Sequence, residues 1–126
     1  RMVKRAGQAG GQSDRLLEVV LRNLFSNAFD AVSEQPPGER RVRVSALAEG
    51  GDRICIRIED SGPGLTGDAV SRLFEPFNST KSSGLGLGLA ISRAIAEAHG
   101  GNLWAEVGAR GVFRLRLPFE KTPAHA

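Results

Sequence analysis

The chain has 126 residues, of which 40% are hydrophobic and 25% are charged, and its formal net charge is +3. This length and composition predict one globular domain with its own core and exclude wholesale disorder. The basic residues are scattered and the aromatic residues are few, so a nucleic-acid interface, which needs clustered positive charge and stacking rings, is not expected. No run approaches the roughly 18 apolar residues of a membrane span. The single cysteine, Cys55, cannot form an internal disulfide, which suits a cytoplasmic protein.

The first predicted element is a long helix. Residues 1–12 lack hydrophobic periodicity and are predicted to be a flexible lead-in. Ser13 or Asp14 can cap the helix, and it is predicted to end near Ser33, before two prolines that cannot continue it.

Two stripes run along this helix. A polar stripe carries Asn23, Asn27 and Asp30 at helical spacing, which on so apolar a helix needs an explanation. The apolar residues share another face, which is predicted to be buried: Leu17, Leu21, Leu24, Ala28 and Val32.

An alternating pattern predicts two strands after the helix. Val42, Val44 and Ala46 alternate with polar residues, and the same alternation recurs over residues 53–59. Residues 49–52 form the predicted hairpin turn. One face of this hairpin is therefore predicted to be buried and the other to be wet and basic.

The remaining pattern predicts two helices and a closing hairpin. The first helix is short, over residues 67–73. The second follows a glycine-rich segment, lasts to about His99 and is capped by residues 100–101. Alternating apolar residues on either side of residues 108–111 predict the hairpin.

The glycine-rich segment, residues 82–89, reads S-S-G-L-G-L-G-L. A glycine-rich loop that opens a helix presents unpaired backbone N–H groups and is typical of a phosphate site. It is not a P-loop, because no Gly-Lys-Ser/Thr follows, and Leu89 stands where a dinucleotide loop needs its third glycine. Residues 62–67 match G-x-G-x-x-G, but no acidic residue follows about 20 positions later, so a dinucleotide fold is excluded there too.

Taken together, these segments resemble the histidine-kinase branch of the GHKL ATP-binding superfamily, nearest to the nitrogen-regulation and dicarboxylate-sensing kinases. The resemblance covers about residues 16–118 and rests on four motifs in the family's order. They are an N box at residues 23–31, a G1 box at residues 60–64, an F box at residues 73–77 followed by Thr80 and Lys81, and a G2 box at residues 84–89.

The resemblance implies an α/β two-layer sandwich of the Bergerat type. Its sheet would be mixed but mostly antiparallel, with about three helices on one face. The ATP-binding catalytic domain would span residues 13–119, and residues 120–126 would form a loose tail.

The resemblance also implies ATP and Mg²⁺ as cofactors. Asn27 would give its amide oxygen to Mg²⁺, and Asn23 would support the metal or its waters. Asp60 would accept a hydrogen bond from the adenine amino group, and Lys81 would contact phosphate. Asn23, Asn27 and Lys81 are the implied catalytic residues. The implied nucleotide-binding residues are Asn27, Ala31, Asp60, Gly62, Gly64, Leu65, Thr80, Lys81, Gly84, Leu85, Gly86, Leu87, Gly88 and Leu89.

The residue at position 23 selects a branch of the superfamily. Gyrase-type ATPases and serine kinases carry a glutamate there as general base, whereas the Asn23 amide cannot take a proton. A neutral imidazole is already nucleophilic, so the resemblance implies transfer of the γ-phosphate to histidine in a bacterial two-component phosphorelay. The alternatives are an ATPase or serine kinase of the same superfamily, and a non-catalytic nucleotide-binding module.

The acceptor histidine is not expected in this chain, because neither His99 nor His125 has an acidic neighbour after it. The implied partners are a histidine-bearing dimerisation domain of the same kinase and a response regulator downstream. The isolated domain would be a cytoplasmic monomer and the parent kinase a homodimer that can be membrane-anchored.

Val112 stands where the family often has a threonine near the adenine.

Overall fold

The computed structural model describes the backbone of residues 2–76 and 88–119, and the side chains from Arg15 onward. A four-stranded sheet has the order β1-β2-β4-β3, and no helix in the described ranges is long and apolar enough to cross a membrane. In chain order the elements are α1 (Met2–Val32), a short 3-10 helix (Pro37–Glu39), β1 (Val42–Glu49), β2 (Arg53–Asp60), α2 (Gly67–Arg72), α3 (Gly88–Ala98), β3 (Asn102–Glu106) and β4 (Gly111–Pro118).

The predicted α/β sandwich is confirmed, and the strand directions are simpler than expected. The chain forms two hairpins, β1–β2 and β3–β4, and β2 pairs with β4 between them. All three pairings among the described strands are antiparallel, so this part of the sheet is not mixed. The reason is the connection through α2 and α3, which returns the chain to the far edge of the sheet and leaves β4 to pair beside β2.

Helix α1 begins earlier than its sequence pattern predicts. It starts at Met2 instead of Ser13 or Asp14, and it includes residues assigned above to a lead-in. No proline interrupts residues 2–32, and a glycine inside a helix costs only about 1 kcal/mol without ending it. The helix ends at Val32, next to the predicted end at Ser33.

The core lies between the sheet and the helices. Leu24 and Ala28 of α1 are buried as predicted, and Val32 is buried at the end of the helix. Val70 of the short helix α2 also packs against this core, so α1, α2 and α3 lie on the same face of the sheet. The buried core residues are Val20, Leu24, Ala28, Ile58, Ala96, Leu103, Ala105, Phe113 and Leu115.

Strand β1 departs from its predicted burial. Val42 is half-buried, but Val44 and Ala46 on the same face are exposed. β1 is the edge strand, and helices α1 and α3 pack on β2, β3 and β4. Alternation in the sequence therefore identifies the apolar face of β1 correctly, but no helix within residues 2–76 and 88–119 extends far enough to cover it.

The opposite face of the sheet carries the predicted arginines, and several of them are ion-paired. Arg57 lies 2.8 Å from Glu59, and Arg116 donates to Glu49 at 2.8 Å. The Arg116 guanidinium also lies 5.0 Å above the ring centre of Trp104, within cation–π distance. The hydrogen bond from Arg57 lowers the pKa of Glu59. This face is therefore a mixed ionic surface rather than a uniformly basic one.

Candidate active site

A buried carboxylate lies at the end of β2. Asp60 is 2% exposed, and its Oδ1 accepts a hydrogen bond from the Gly62 backbone N–H at 2.9 Å. The backbone N–H of Gly111, the residue opposite it on β4, also donates to this carboxylate. Burial raises the pKa of Asp60, while the two backbone hydrogen bonds act in the opposite direction. A buried charge held by so few donors is typical of a functional group.

The pKa of Asp60 gives a testable dependence of stability on pH. Because the pKa is raised on folding, wild type loses stability as the pH rises from about 4 through the raised value. Asp60→Asn has no charge to bury, so its free energy of unfolding relative to wild type should increase between pH 4 and pH 7. Urea unfolding at both pH values measures this difference. A difference that stays constant or decreases with pH would show that burial does not disfavour the ionised carboxylate.

The loop after Asp60 is fitted closely against two other segments. A Cβ atom on Gly62 would lie 2.5 Å from the carbonyl oxygen of Ala31, and one on Gly64 would collide with the carbonyl of Gly108. Leu65 and Gly108 also exchange two backbone hydrogen bonds, of 3.0 and 3.1 Å. A side chain at either glycine would therefore clash with protein backbone. These glycines place the loop between the end of α1 and the β3–β4 turn.

Gly111 is a site residue that the motifs do not reveal. A Cβ atom there would collide with the Asp60 carboxylate, so only glycine allows β4 to pair closely at this point. Val112, which replaces the family's frequent threonine, lies opposite Glu59. Successive residues of a strand point to opposite faces, so Val112 is not on the Asp60 side. The pairing register of β2 with β4 is the signal that would have identified Gly111.

The polar stripe of α1 contacts α3. The Asn23 side-chain N–H donates to Ser92 Oγ at 2.9 Å and to the Gly88 carbonyl oxygen at 3.2 Å. Ser92 is fully buried, so this link lies partly inside the protein. Asn23 therefore joins α1 to the first turns of α3.

Asn27 lies one turn further along α1 and is half-buried. Within residues 15–76 and 88–119, its amide has no hydrogen-bond partner. Mg²⁺ prefers hard oxygen ligands and keeps several waters, so a single amide oxygen at such a position suits it. Ala31, one further turn along the same face, reaches the loop at Gly62.

The structure thus brings most of the described site residues into one line. One end holds Ala31, Gly62 and Asp60, the other end holds Asn23 and Gly88, and Asn27 lies between them on α1. Leu65 and Leu89 are half-buried and pack against the core. The other implied residues, which are Thr80, Lys81, Gly84, Leu85, Gly86 and Leu87, lie outside the described residues.

The F box is anchored on the core through Phe74. Its ring makes an edge-to-face contact with Phe113, with 6.4 Å between the ring centres. The Arg93 guanidinium of α3 lies 4.8 Å from the centre of the Phe74 ring. Phe74 therefore connects the segment after α2 to both α3 and β4.

Comparison with known families identifies the relatives of this chain. Residues 12–121 match the family described as histidine kinase-, DNA gyrase B-, and HSP90-like ATPase. The sensor protein FixL of Bradyrhizobium diazoefficiens is 42% identical over 109 residues, which is 84% of this chain and 21% of FixL. The C4-dicarboxylate transport sensor protein DctB of Rhizobium meliloti is 43% identical over 104 residues, or 82% of this chain and 16% of DctB. The chain spans about a fifth of the length of these relatives.

Solved structures show the same similarity. The mycobacterial sensor histidine kinase MprB superposes with a TM-score of 0.76 at 26% identity, covering 86% of this chain and 76% of that one. The catalytic domain of histidine kinase ThkA superposes with a TM-score of 0.71 at 30% identity, covering 83% and 67%. The chain therefore belongs to the histidine kinase-, DNA gyrase B- and HSP90-like ATPase family, as an ATP-binding catalytic domain of the sensor histidine kinase type.

Proposed function

We propose that this domain binds Mg²⁺-ATP along α1 and donates the γ-phosphate to a histidine on a separate dimerisation domain of the same kinase, with a response regulator downstream. The observation that best supports this function is the line of site residues on α1. Its Ala31 end lies against the loop that follows the buried Asp60, and its Asn23 end is hydrogen-bonded to the start of α3.

The Asp60 end suits the adenine base. The carboxylate is an acceptor-only group, and the adenine amino group is a donor. A buried acceptor that is already aligned by two backbone N–H groups discriminates well, because a base without the amino group would leave it unpaired. Ala31 and Gly62 would lie beside the base.

The Asn23 end suits the phosphates. The backbone N–H groups in the first turn of α3 and the positive end of its dipole favour anions. Asn27 would hold Mg²⁺ through Oδ1, and the metal would neutralise charge on the phosphates. Thr80, Lys81 and residues 84–87 remain predicted phosphate contacts.

The chemistry at position 23 favours histidine as the acceptor. Asn23 cannot take a proton from water or from a serine hydroxyl, and its N–H group is engaged by α3. A neutral imidazole nitrogen attacks phosphorus without that help: the N–P bond forms, the bond from phosphorus to the bridging oxygen breaks, and ADP leaves. The domain's part is to position the phosphate.

Mixing the domain with ATP labelled on the γ-phosphate, Mg²⁺ and the histidine-bearing dimerisation domain tests this function. We expect label on the dimerisation domain in an acid-labile, base-stable form, as phosphohistidine is. Replacing the acceptor histidine with glutamine should remove the label and leave ATP binding unchanged. Steady release of phosphate without phosphohistidine would instead indicate an ATPase, and tight ATP binding with neither product would indicate a non-catalytic module.

A further inference from the structure

Ser61, between Asp60 and Gly62, is hydrogen-bonded to the segment that connects α1 with β1. Its backbone N–H donates to the Arg41 carbonyl oxygen at 3.0 Å, and its Oγ accepts from the Arg41 N–H at 2.9 Å. The same Oγ lies 2.8 Å from Gln35 Oε1 and 3.0 Å from the Glu39 carbonyl oxygen, and it can donate its one proton to either. Every polar group of Ser61 is therefore used for this attachment, including its carbonyl oxygen, which accepts from Gln35 Nε2 at 2.5 Å.

Gln35 is itself held in place. Its backbone N–H donates to the Val32 carbonyl oxygen at 3.0 Å, which continues the end of α1. Arg40 donates to the Gln35 carbonyl oxygen at 2.8 Å and to the Ser33 carbonyl oxygen at 2.9 Å. The Gln35 amide thus presents a donor and an acceptor to Ser61 from a fixed position at the end of the helix.

These contacts bear directly on the Asp60 carboxylate. Gly62 donates to Asp60 Oδ1 and lies against the Ala31 carbonyl. A shift of Ser61 would therefore move the hydrogen-bond donor of the carboxylate and would also change the contact between Gly62 and α1. The side chains of Gln35 and Ser61 are only half-buried and lie outside the core. Their hydrogen bonds therefore orient one short segment more than they hold the fold together.

We propose that Ser61 and Gln35 are positioning residues: they hold the loop after Asp60 against the end of α1, fix the position of the Asp60 carboxylate and thereby set the preference of the site for adenine. This inference rests on the proposed nucleotide-binding function. A purine with hydrogen in place of the 6-amino group neither donates an N–H to Asp60 nor sets an oxygen against it, so its affinity depends little on where that carboxylate lies. The ratio of the two affinities reports the position of Asp60, and a general loss of packing would change both affinities together.

The test measures the affinities of Ser61→Ala and Gln35→Ala for Mg²⁺-ATP and for the Mg²⁺ complex of purine riboside triphosphate by calorimetry, since this analogue carries hydrogen in place of the amino group. We expect each variant to bind ATP about tenfold more weakly, the scale of one hydrogen bond, and the analogue with less than about a twofold change. Ser61→Thr keeps the hydroxyl and should restore the wild-type ratio. Ser33→Ala is the matched control, because it removes a hydroxyl from the same segment, and among the described residues that hydroxyl bonds only to the Asp30 carbonyl oxygen, at 2.7 Å.

The outcomes separate this inference from the proposed function. If wild type prefers ATP to purine riboside triphosphate and both alanine variants keep that ratio, Ser61 and Gln35 do not position Asp60. If wild type binds the two nucleotides equally, or binds neither, the adenine role of Asp60 fails and this inference fails with it. Gln35→Ala changes only a half-buried side chain in a connecting segment, so it remains informative even where Ser61→Ala unfolds more easily.

Discussion

Asp60→Asn is expected to weaken ATP binding by about 100-fold while the domain stays folded. The wild-type carboxylate can accept from Gly62, from Gly111 and from the adenine amino group at once. An asparagine has one oxygen, and its amide N–H₂ would face at least one of these donors. Losing a hydrogen bond to a charged group and setting two donors against each other accounts for a loss of about this size.

Calorimetry with Mg²⁺-ATP measures this loss, and circular dichroism checks that the fold is retained. Asp52→Asn is the control, since Asp52 is an exposed aspartate in the β1–β2 turn. It removes the same charge and should bind ATP as wild type does. Wild-type affinity in Asp60→Asn would show that the buried carboxylate does not contact the base.

Asn27→Ala is expected to remove the part of ATP binding that depends on Mg²⁺. Its amide oxygen is the ligand proposed for the metal. Replacing even a residue that only hydrogen-bonds to a metal ligand costs about 10- to 100-fold in metal affinity or activity. Wild type should bind ATP more tightly with Mg²⁺ than with a chelator. Asn27→Ala should bind equally under both conditions, with an affinity close to that of metal-free wild type.

Phosphotransfer to the dimerisation domain should fall more than tenfold in the same variant. Asn27→Asp keeps an oxygen at this position and should recover part of the Mg²⁺ effect. Asn102→Ala, which changes an exposed asparagine at the start of β3, is the control. An undiminished Mg²⁺ effect in Asn27→Ala would place the metal elsewhere.

Patterns within single elements predicted most of this fold. Hydrophobic periodicity located α1, α3 and both hairpins, because each signal repeats over neighbouring residues. The cap of α3 was also predictable: Gly100 has φ +80°, a conformation that glycine adopts at no steric cost. The order of the four motifs indicated the family, which the comparisons confirm.

Contacts between distant segments were not predictable in the same way. That Gly111 lies against Asp60 depends on the register of β2 with β4, and the bond from Asn23 to Ser92 depends on how α3 packs on α1. The hydrogen bond from Gln35 to Ser61 depends on the path of the irregular segment that connects α1 with β1. Such contacts join residues far apart in the chain, so no local pattern encodes them. The exposure of Val44 has the same cause, since alternation shows which face of a strand is apolar but not whether a helix covers it.

Strand β1 has a practical consequence for handling the domain. It is eight residues long and forms an outer edge of the described sheet, with Val44 48% exposed and Leu47 69% exposed. An edge of this kind can pair with another chain, and the arginines at positions 41 and 43 are the sort of charged residues that discourage such pairing. Because salt screens those charges, the domain should keep best in dilute solution at low ionic strength.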